Sequence, residues 1–393
     1  MLSPESLPAV QRALADAQLD GWLLFDFQGT NPIAMGVLGL EGFISRRIFV
    51  WVPVKGVPYA LGHAIEPGPW TRWPAEWQRS TYSSWQSLES QVASMVRGKR
   101  IAMEYSAGDA VPYLDRVPAG VIEMVKTAGA ASITSSGELA TQFLAAWNEE
   151  GVASHNRAAE RIAAIAHDAF AMAGSRARTA TPMTEFELMT WIQARFAEAG
   201  LNTDHGPNVS VGANAANPHY EPSATDSPAI TVGDLVLIDL WARETGGVYA
   251  DQTWMASVGD PSPRAQEVWD AIRTARDAAI ALVKSAAREG RALRGADVDD
   301  AARAVITERG FGEYFTHRTG HSIDPISLHG AGPHLDNLET REDRLLVAGA
   351  GFSIEPGIYI PGEIGMRTEV NVYLVPGEAV VTPADVQQQL LII

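Results

Sequence analysis

The stretch GFSIEPGIYIPGEIGMRTEVNVYL, residues 351–374, carries two glutamates, Glu355 and Glu369, inside runs of apolar and β-favouring residues. Such runs predict two strands joined by a turn at IPGE. The midpoint between the two glutamates is Gly362, which lies in that turn, so the folded hairpin brings the two carboxylates opposite each other. A solvated loop glutamate is not expected among such neighbours, so the pair requires a specific partner.

A second stretch repeats this arrangement. DLVLIDLWARETGGVYADQTW, residues 234–254, places Asp239 and Asp251 on either side of a turn at ETGG. The acidic positions of residues 351–374 follow these two by 116 and 118 residues. If the hairpins pack about a pseudo-twofold axis, four carboxylates converge on one cavity. Each acid taken singly is more typical of a solvent-facing or ion-paired strand residue, but the repeated pairing within apolar runs favours a shared site.

The helices predicted around the hairpins also occur twice. One predicted helix begins near Glu149, and another begins at Thr184, which forms a capping-box pattern with Glu187. The second set begins at Pro263 and near residue 297, so corresponding elements are separated by 113 to 116 residues. This spacing predicts a fold with duplicated halves.

The sequence before the duplicated region has a different organisation. Strand-like runs GWLLFDF, RRIFVWVPV, VPYALGH and RIAMEY alternate with helical patterns, and a helix is predicted to start at Pro4 with Ser3 as its cap. We therefore expect an α/β (α+β) protein with an N-terminal domain over residues 1–145 and a second domain over residues 146–393.

The composition narrows the class of function. With 393 residues and 46% hydrophobic residues, the chain can bury substantial cores. Its 47 acidic and 30 basic residues give a net charge of -17, which disfavours nucleic acid and anionic membranes as partners. The absence of cysteine excludes disulfides, thiolate nucleophiles and cysteine-ligated metals. Neither a signal peptide nor a membrane span is recognisable, so a cytoplasmic protein is expected.

Four carboxylates in a half-buried site imply bound cations. Without them the anions repel one another and lose hydration at a cost of several kcal/mol each. Bound divalent metal ions are the simplest way to neutralise this charge. Between the hairpins, YFTHRTGHSIDPISLHGAG supplies His317, His321 and His329. The glycine before His321 permits a close backbone approach, and an imidazole there can complete a carboxylate-rich metal site.

The remaining histidines are less informative. His219 lies near the end of the segment GPNVSVGANAANPHYEP, in a loop after a predicted strand, where active-site rims often form. A lone histidine is more often a surface or hydrogen-bonded core residue than a ligand, and this alternative stays open for His219 and for the three histidines between the hairpins. For the remaining five histidines, a surface or hydrogen-bonded core position is the expected role: His63, His155, His167, His205 and His334.

Five fragments in order resemble a known family. The set LIDLW, YADQT, HRTGHSID, SIEPGIYI and MRTEVNV is similar to the M24 metallopeptidases of pita-bread fold, which include methionine aminopeptidase, aminopeptidase P and prolidase. The resemblance covers residues 150–374. The preceding segment resembles the creatinase-type N-terminal domain, which indicates the branch of the family that handles proline. The implied fold is therefore a pita-bread catalytic domain with pseudo-twofold halves, preceded by a creatinase-like α/β domain.

The resemblance implies five metal ligands. Asp251 and Glu369 match carboxylates that bridge two divalent ions, Asp239 matches a ligand of the first ion, and His321 and Glu355 match ligands of the second. Bridging carboxylates hold two ions roughly 3.5 to 4 Å apart and allow water to be activated near neutral pH. The ligand types suit Mn²⁺ best, while Zn²⁺ or Co²⁺ also fits.

The resemblance also implies catalytic roles. Glu355 matches a residue that carries a proton from water to the leaving prolyl nitrogen. His219 and His329 match histidines that hold the scissile carbonyl and its oxyanion, and His317 matches one in the substrate pocket. Arg367, two residues before Glu369, matches a basic residue that organises the carboxylates. A purely structural ion pair is an equally weighted alternative for Arg367.

Three features depart from the family pattern. The Asp239 to Asp251 interval is one residue longer than usual, which predicts a bulge or a longer turn. Ser322 and Asp324 stand after His321 where many relatives have glycine, so the wall beside the ligand should differ in shape and charge. The His321 to His329 interval is also one residue longer, which weakens the assignment of His329. No metal ligand is lost.

The function implied by the resemblance is hydrolysis of the Xaa-Pro peptide bond by an enzyme with two metal ions. Xaa-Pro dipeptidase (prolidase) is preferred, because the hairpin with 14 residues from Glu355 to Glu369 resembles that of small prolidases. The alternative is Xaa-Pro aminopeptidase (aminopeptidase P) acting on longer peptides. A metal-dependent lyase on the same fold is a lesser alternative, and a non-catalytic binding module is disfavoured by the intact ligand set. The expected partners are a short proline-containing peptide and a second copy in a homodimer.

Overall fold

The computed structural model describes residues 1–393, and the chain divides into two compact units, Met1–Leu144 and Ala145–Ile393. Each unit has its own sheets and apolar core. None of the helices is both long enough and apolar enough to cross a membrane.

A six-stranded mixed sheet forms the centre of the N-terminal unit. Its strands are β1 (Gly21–Asp26), β2 (Ile48–Pro53), β3 (Tyr59–His63), β4 (Gln78–Tyr82), β5 (Arg100–Met103) and β6 (Ser132–Ser135). Their order is β4-β3-β2-β1-β5-β6, with β1–β2 and β2–β3 antiparallel and the other pairs parallel. The α-helices are α1 (Leu7–Asp16), α2 (Pro32–Leu38), α3 (Trp85–Val96), α4 (Ala119–Thr127) and α5 (Gly137–Ala140).

The four strand-like runs named above coincide with β1, β2, β3 and β5, which confirms those predictions. The predicted start of the first helix is wrong by three residues. The side chain of Ser3 accepts a hydrogen bond from the backbone of Ser6 at 3.2 Å, and its carbonyl accepts one from Leu7 at 2.9 Å, so Ser3–Ser6 forms a turn ahead of α1. Leu7, Val10 and Leu14 are buried on one face of α1, as the periodicity predicts.

The C-terminal unit contains the duplicated elements. Its helices are α6 (Glu149–Ala177), α7 (Glu185–Glu198), α8 (Pro263–Glu289) and α9 (Gly295–Glu308). Its first strands are β7 (Leu201–Asn202), β8 (Asn208–Val211), β9 (Leu235–Glu244) and β10 (Ala250–Ser257). The later strands are β11 (Ser322–Ile323), β12 (Gly351–Ile354), β13 (Gly357–Ile360), β14 (Ile364–Arg367), β15 (Val370–Val375), β16 (Glu378–Thr382) and β17 (Leu391–Ile392). Two helices followed by a hairpin occur twice in this order.

Local sequence explains where these helices begin and end. The Asn148 side chain caps α6, and Thr184 and Glu187 form the predicted capping box at the start of α7. Ser262 caps α8 ahead of Pro263, and Gly290 ends that helix with a left-handed φ of 61°. The four helix predictions in this region are therefore confirmed to within a few residues.

Each half buries its helices against its own sheet. Helices α6 and α7 pack on the sheet β17-β10-β9-β7, where β8 also pairs with β9, and α8 and α9 pack on β11-β12-β15-β16 and the β13–β14 hairpin. Trp269 and Ile272 of α8 are fully buried, and a large apolar side chain contributes about 1.5–3 kcal/mol on full burial. The cores thus fix the two acidic hairpins in place.

Hydrogen bonds join the two hairpins where their acidic residues lie. The backbone N–H of Asp251 on β10 donates to the side-chain oxygen of Asn371 on β15 at 2.8 Å. The backbone N–H of Glu369 donates to the carbonyl oxygen of Thr253 on β10 at 3.1 Å. These contacts bring acidic residues from both halves into one region.

Candidate metal centre

The first hairpin places Asp239 and Asp251 diagonally rather than directly opposite. In the antiparallel register Asp239 faces Thr253, and Asp251 faces Trp241. The sequence predicts that the two acids lie roughly opposite each other about residue 245, whereas the turn is centred on Gly246, with φ 75°, and offsets them by two residues. The pairing of β9 with β10 is continuous, so the extra residue of this hairpin lies in a longer turn and not in a bulge. An offset of two residues leaves both acids on the same face of the sheet.

The second hairpin brings Glu355 and Glu369 directly across from each other, as the sequence predicts. One register runs through both of its ladders, with Ile354 paired to Val370 and Gly357 paired to Arg367. The two glutamates lie in the gap between these ladders. The gap forms where Pro356 has no N–H to donate, so regular pairing is interrupted at the acidic residues.

His321 joins acids from both hairpins. Its Nε2 atom lies 3.2 Å from Oδ2 of Asp251 and 3.5 Å from Oε1 of Glu355. Asp251, His321 and Glu369 each offer a ligand atom within 4.8 Å of the others, and each is 4% exposed. This is the donor set of carboxylates and imidazole that binds divalent cations.

Arg367 and Thr253 connect Asp239 to the same cluster. The Arg367 guanidinium forms a close ion pair with Asp239 and lies 4.0 Å from Oε2 of Glu355. The Thr253 hydroxyl lies 3.3 Å from Oδ1 of Asp239 and 2.8 Å from Oε2 of Glu369, and it accepts a hydrogen bond from Nε of Arg367 at 2.9 Å. The structure therefore brings together all five residues predicted as metal ligands, and Arg367 with them.

Two oxygen atoms in the cluster lack any hydrogen-bond partner. They are Oδ1 of Asp251 and Oε1 of Glu369, both buried. Burial raises the pKa of Asp251, and the charge of Glu355 raises it further. Burial and the charge of Asp251 likewise raise the pKa of Glu369, and burial raises the pKa of Asp239 to about 7.

These observations fit a cluster built around cations. Buried carboxylate oxygens without donors are costly, and adjacent carboxylates disfavour each other's ionisation. A bound cation reverses both effects, because it supplies the missing partner and stabilises the charged form. The residues present therefore match the carboxylate-rich divalent metal site that the family resemblance implies.

Glu355 differs electrostatically from the other three acids. Burial opposes its ionisation, but charge interactions with His321, His317 and Arg367 hold its pKa below the ordinary value. The Ser353 hydroxyl also donates to its Oε1 atom at 3.1 Å. Glu355 is thus the carboxylate best able to remain charged without a cation.

Tyr359 links His317 to the cluster. Nε2 of His317 lies 2.8 Å from the hydroxyl of Tyr359, and Nη1 of Arg367 donates to that hydroxyl at 3.3 Å. Nδ1 of His317 lies 2.7 Å from the carbonyl oxygen of Arg318. Both ring nitrogens of His317 are therefore engaged, and burial lowers its pKa.

The sequence reasoning missed both Thr253 and Tyr359. Thr253 lies two residues after Asp251, so strand periodicity puts its hydroxyl on the same face as that acid. Tyr359 is four residues after Glu355 within an apolar run, and a buried tyrosine hydroxyl generally has a partner. These were the signals that could have identified them.

His329 and His219 are both exposed, but only His329 lies against the cluster. The His329 ring packs edge-on against His321 with 4.3 Å between the ring centroids, and the proximity of His321 lowers its pKa to about 3. His219 is exposed on the loop after β8, where its backbone N–H donates to Asn217 at 3.1 Å. The side chain of His219 makes no hydrogen bond or ion pair with the acidic cluster.

Backbone packing around His321 explains its neighbouring residues. A Cβ atom at position 320 would lie 2.0 Å from the carbonyl oxygen of Ser353, so only glycine permits this approach, as predicted. The backbone N–H of His321 donates to the Ser353 hydroxyl at 2.9 Å. Nδ1 of the buried His334 accepts a hydrogen bond from the N–H of Ser322 at 3.1 Å, which braces the residue after the candidate ligand.

Comparison with known proteins identifies the family. Residues 154–376, more than half of the chain, match metallopeptidase family M24. The chain belongs to this family. Its fold is the pita-bread fold, and the dipeptidase PepE of Mycobacterium ulcerans shares it with a TM-score of 0.75 and 24% identity, over 99% of this chain and 97% of that one.

Two curated relatives are similar to part of this M24 chain. The Xaa-Pro dipeptidase of Lactobacillus delbrueckii subsp. lactis is 37% identical over 178 residues, which cover 45% of this chain and 44% of the relative. The Xaa-Pro dipeptidase of Lactobacillus helveticus is 39% identical over 163 residues, 41% of this chain and 40% of the relative. The chain thus matches less than half the length of these curated relatives.

Proposed function

We propose that this M24 protein is an Xaa-Pro dipeptidase that uses two divalent metal ions. The observation that carries the proposal is the largely buried cluster of four carboxylates and one imidazole, in which a buried oxygen of Asp251 and one of Glu369 lack partners. The two similar Lactobacillus proteins named as Xaa-Pro dipeptidases support the choice of substrate.

Five residues would hold the two ions: Asp239, Asp251, His321, Glu355 and Glu369. When bound, the ions would polarise the scissile carbonyl and make water a nucleophile near neutral pH, with Mn²⁺ the preferred metal for this oxygen-rich set and Zn²⁺ or Co²⁺ also suitable. Arg367 and Thr253 orient Asp239 and Glu369 through the hydrogen bonds described above.

Glu355 carries the proton during the reaction. Its lowered pKa keeps it as a carboxylate, the form that accepts a proton from the attacking water. The protonated side chain then delivers this proton to the prolyl nitrogen as the C–N bond breaks. The nitrogen leaves as the amine of proline, and Glu355 returns to the carboxylate form.

The histidines bind and orient the substrate. His329 is neutral near pH 7 because its pKa is lowered, so its ring can donate an N–H without adding a positive charge beside the metal ligands. His317 is also neutral because its pKa is lowered, and both of its ring nitrogens are engaged within the protein. His329 is next to His321 and is assigned to the oxyanion of the tetrahedral species. His317 is assigned to the wall of the substrate pocket. His219, on its exposed loop, is assigned to the scissile carbonyl when substrate is bound.

Proline explains the need for such a site. The Xaa-Pro bond is a tertiary amide without an N–H, and its ring restricts the backbone, so peptidases that bind the missing N–H handle it poorly. The compact β13–β14 hairpin after Glu355 favours a small substrate. The same proposal includes a creatinase-like N-terminal domain over residues 1–145 ahead of the catalytic domain over residues 146–393, a homodimer, and a location in the cytoplasm.

A panel of peptides tests the proposal. Protein supplied with Mn²⁺ is assayed on Ala-Pro and Ala-Pro-Ala beside an Asp251→Ala variant. The expected result is cleavage of Ala-Pro that is lost with EDTA and in the variant. Cleavage of Ala-Pro-Ala alone would instead identify an Xaa-Pro aminopeptidase, and cleavage of neither would refute a proline-specific peptidase. Size-exclusion chromatography with light scattering tests the homodimer.

A further inference from the structure

A buried carboxylate organises the loop that carries His329. The side chain of Asp324, 2% exposed, lies inside the loop formed by residues 324–331. Its Oδ1 atom accepts backbone hydrogen bonds from Ile326 at 2.8 Å and Ser327 at 2.6 Å, and its Oδ2 atom accepts one from Ala331 at 2.8 Å. The carboxylate therefore holds the loop on both sides of His329.

The packing around Gly330 shows how closely the loop fits this carboxylate. A Cβ atom at position 330 would lie 2.8 Å from Cβ, Cγ and Oδ2 of Asp324, so the residue after His329 must be glycine for the loop to close. The backbone N–H of Gly330 also donates to the carbonyl oxygen of Ser322 at 2.7 Å. Both contacts fix the backbone immediately next to His329.

The ring of His329 has no comparable anchor of its own. It packs against the His321 ring at 4.3 Å between centroids, but no protein group hydrogen-bonds to its nitrogens. The two nitrogens of His317, in contrast, both have partners. The place of the His329 imidazole beside the candidate metal ligand is therefore set mainly by its backbone, which the Asp324 carboxylate holds.

We propose that Asp324 is a positioning residue for His329, which keeps that imidazole beside His321 by accepting three backbone hydrogen bonds from the intervening loop. The catalytic part of this inference rests on the proposed peptidase function.

The kinetic test compares Asp324→Ala, His329→Ala and the double variant, each with Mn²⁺ and Ala-Pro. Misplacing a catalytic group by about 1 Å can cost on the order of 100-fold in rate, so Asp324→Ala should lower kcat by about 10- to 100-fold while KM and the affinity for Mn²⁺ change little. In the His329→Ala variant, Asp324→Ala should lower kcat almost no further, because the imidazole that Asp324 positions is already absent. The proposal would be overturned if Asp324→Ala left kcat unchanged, or if it lowered kcat in the His329→Ala variant as much as in the wild type.

Asp26→Ala serves as the matched control for loss of a buried carboxylate. Asp26, in the N-terminal unit, is also fully buried and accepts backbone hydrogen bonds from Gly29 at 2.7 Å and Asn31 at 2.8 Å. This variant should lose stability without a comparable loss of kcat. An equal fall in kcat would show that the Asp324 effect is a general loss of stability and would overturn the proposal.

A readout independent of activity uses Asp324→Asn, which keeps one acceptor oxygen and is the milder change. In protein labelled with ¹⁵N-histidine, the ring signals of His329 should shift or broaden in this variant, while those of the buried His155 stay in place. Unchanged His329 signals would overturn the positioning role. Because this measurement needs no substrate, it decides the role of Asp324 even if the wild-type protein cleaves no Xaa-Pro peptide.

Discussion

Replacing Thr253 by valine should weaken metal binding without changing any proposed metal ligand. Valine keeps the shape of threonine but removes a hydroxyl that donates to Glu369 at 2.8 Å and accepts from Arg367 at 2.9 Å. Thr253 is 1% exposed, so water cannot readily replace these contacts. The substitution leaves the Glu369 carboxylate less firmly oriented and leaves the Nε–H of Arg367 without its acceptor.

The size of the effect follows from the hydrogen bonds that are lost. A hydrogen bond to a charged group contributes about 1.5–3 kcal/mol. If one such bond is lost in the metal-bound state, the dissociation constant rises about 10- to 100-fold, since about 1.4 kcal/mol corresponds to a factor of ten. Loss of a group that orients a metal ligand typically costs the same factor. Isothermal titration calorimetry of EDTA-stripped protein with Mn²⁺ measures the dissociation constant directly.

Two control variants separate this effect from a general loss of stability. Thr253→Ser keeps the hydroxyl and should bind Mn²⁺ nearly as the wild type does. Thr382→Val removes another buried hydroxyl, which lies 2.8 Å from Nε2 of His155, and should leave Mn²⁺ affinity unchanged. Wild-type Mn²⁺ affinity in Thr253→Val, or an equal loss of affinity in Thr382→Val, would show that the Thr253 hydroxyl does not orient the metal ligands.

Three further predictions concern pH, the Tyr359 hydroxyl and a close backbone contact. The pKa of Asp239 is raised to about 7 and that of Glu369 is also raised, so the folded metal-free protein retains protons that the unfolded chain releases near pH 4. The stability of the protein in EDTA should therefore fall as pH rises from about 4 through 7. A stability that rises with pH over this range, measured by thermal unfolding, would contradict this prediction. Tyr359→Phe removes the hydroxyl that lies between His317 and Arg367. Because one hydrogen bond contributes about 1 kcal/mol, kcat on Ala-Pro should fall roughly fivefold to tenfold, while an unchanged circular dichroism spectrum shows that the fold is intact. Gly320→Ala places a Cβ atom 2.0 Å from the carbonyl oxygen of Ser353. The free energy of unfolding, measured in urea, should fall by about 1–3 kcal/mol or more. Wild-type stability would show that the backbone relaxes to accommodate the methyl group.

The sequence predicted the elements of the site better than their register. Paired acids in apolar strands and the repeated order of helices and hairpins identified the residues that come together, because alternation and capping are local signals. The predicted centre of the turn between Asp239 and Asp251 was one residue too early. The midpoint of two residues does not determine which turn conformation forms, and the turn at Gly246 shifts the pairing by two positions along the partner strand.

Contacts made between the halves were not predictable from local patterns. The hydroxyl of Thr253 on β10 meets Glu369, which is 116 residues away, and the Tyr359 hydroxyl meets His317 at a separation of 42 residues. Local periodicity indicates which face a side chain occupies but not which distant group meets it there. The role proposed for Asp324 similarly depends on a loop conformation that sequence alone left open.

The presence of two metal ions at the acidic cluster can be observed crystallographically. A crystal of the protein grown with Mn²⁺ is measured for anomalous scattering near the manganese absorption edge. We expect two anomalous peaks in the C-terminal unit, both contacted by Asp251 and Glu369, with His321 and Glu355 at one peak and Asp239 at the other. A well-ordered crystal with no peak among these five side chains, or with peaks only elsewhere, would contradict this expectation.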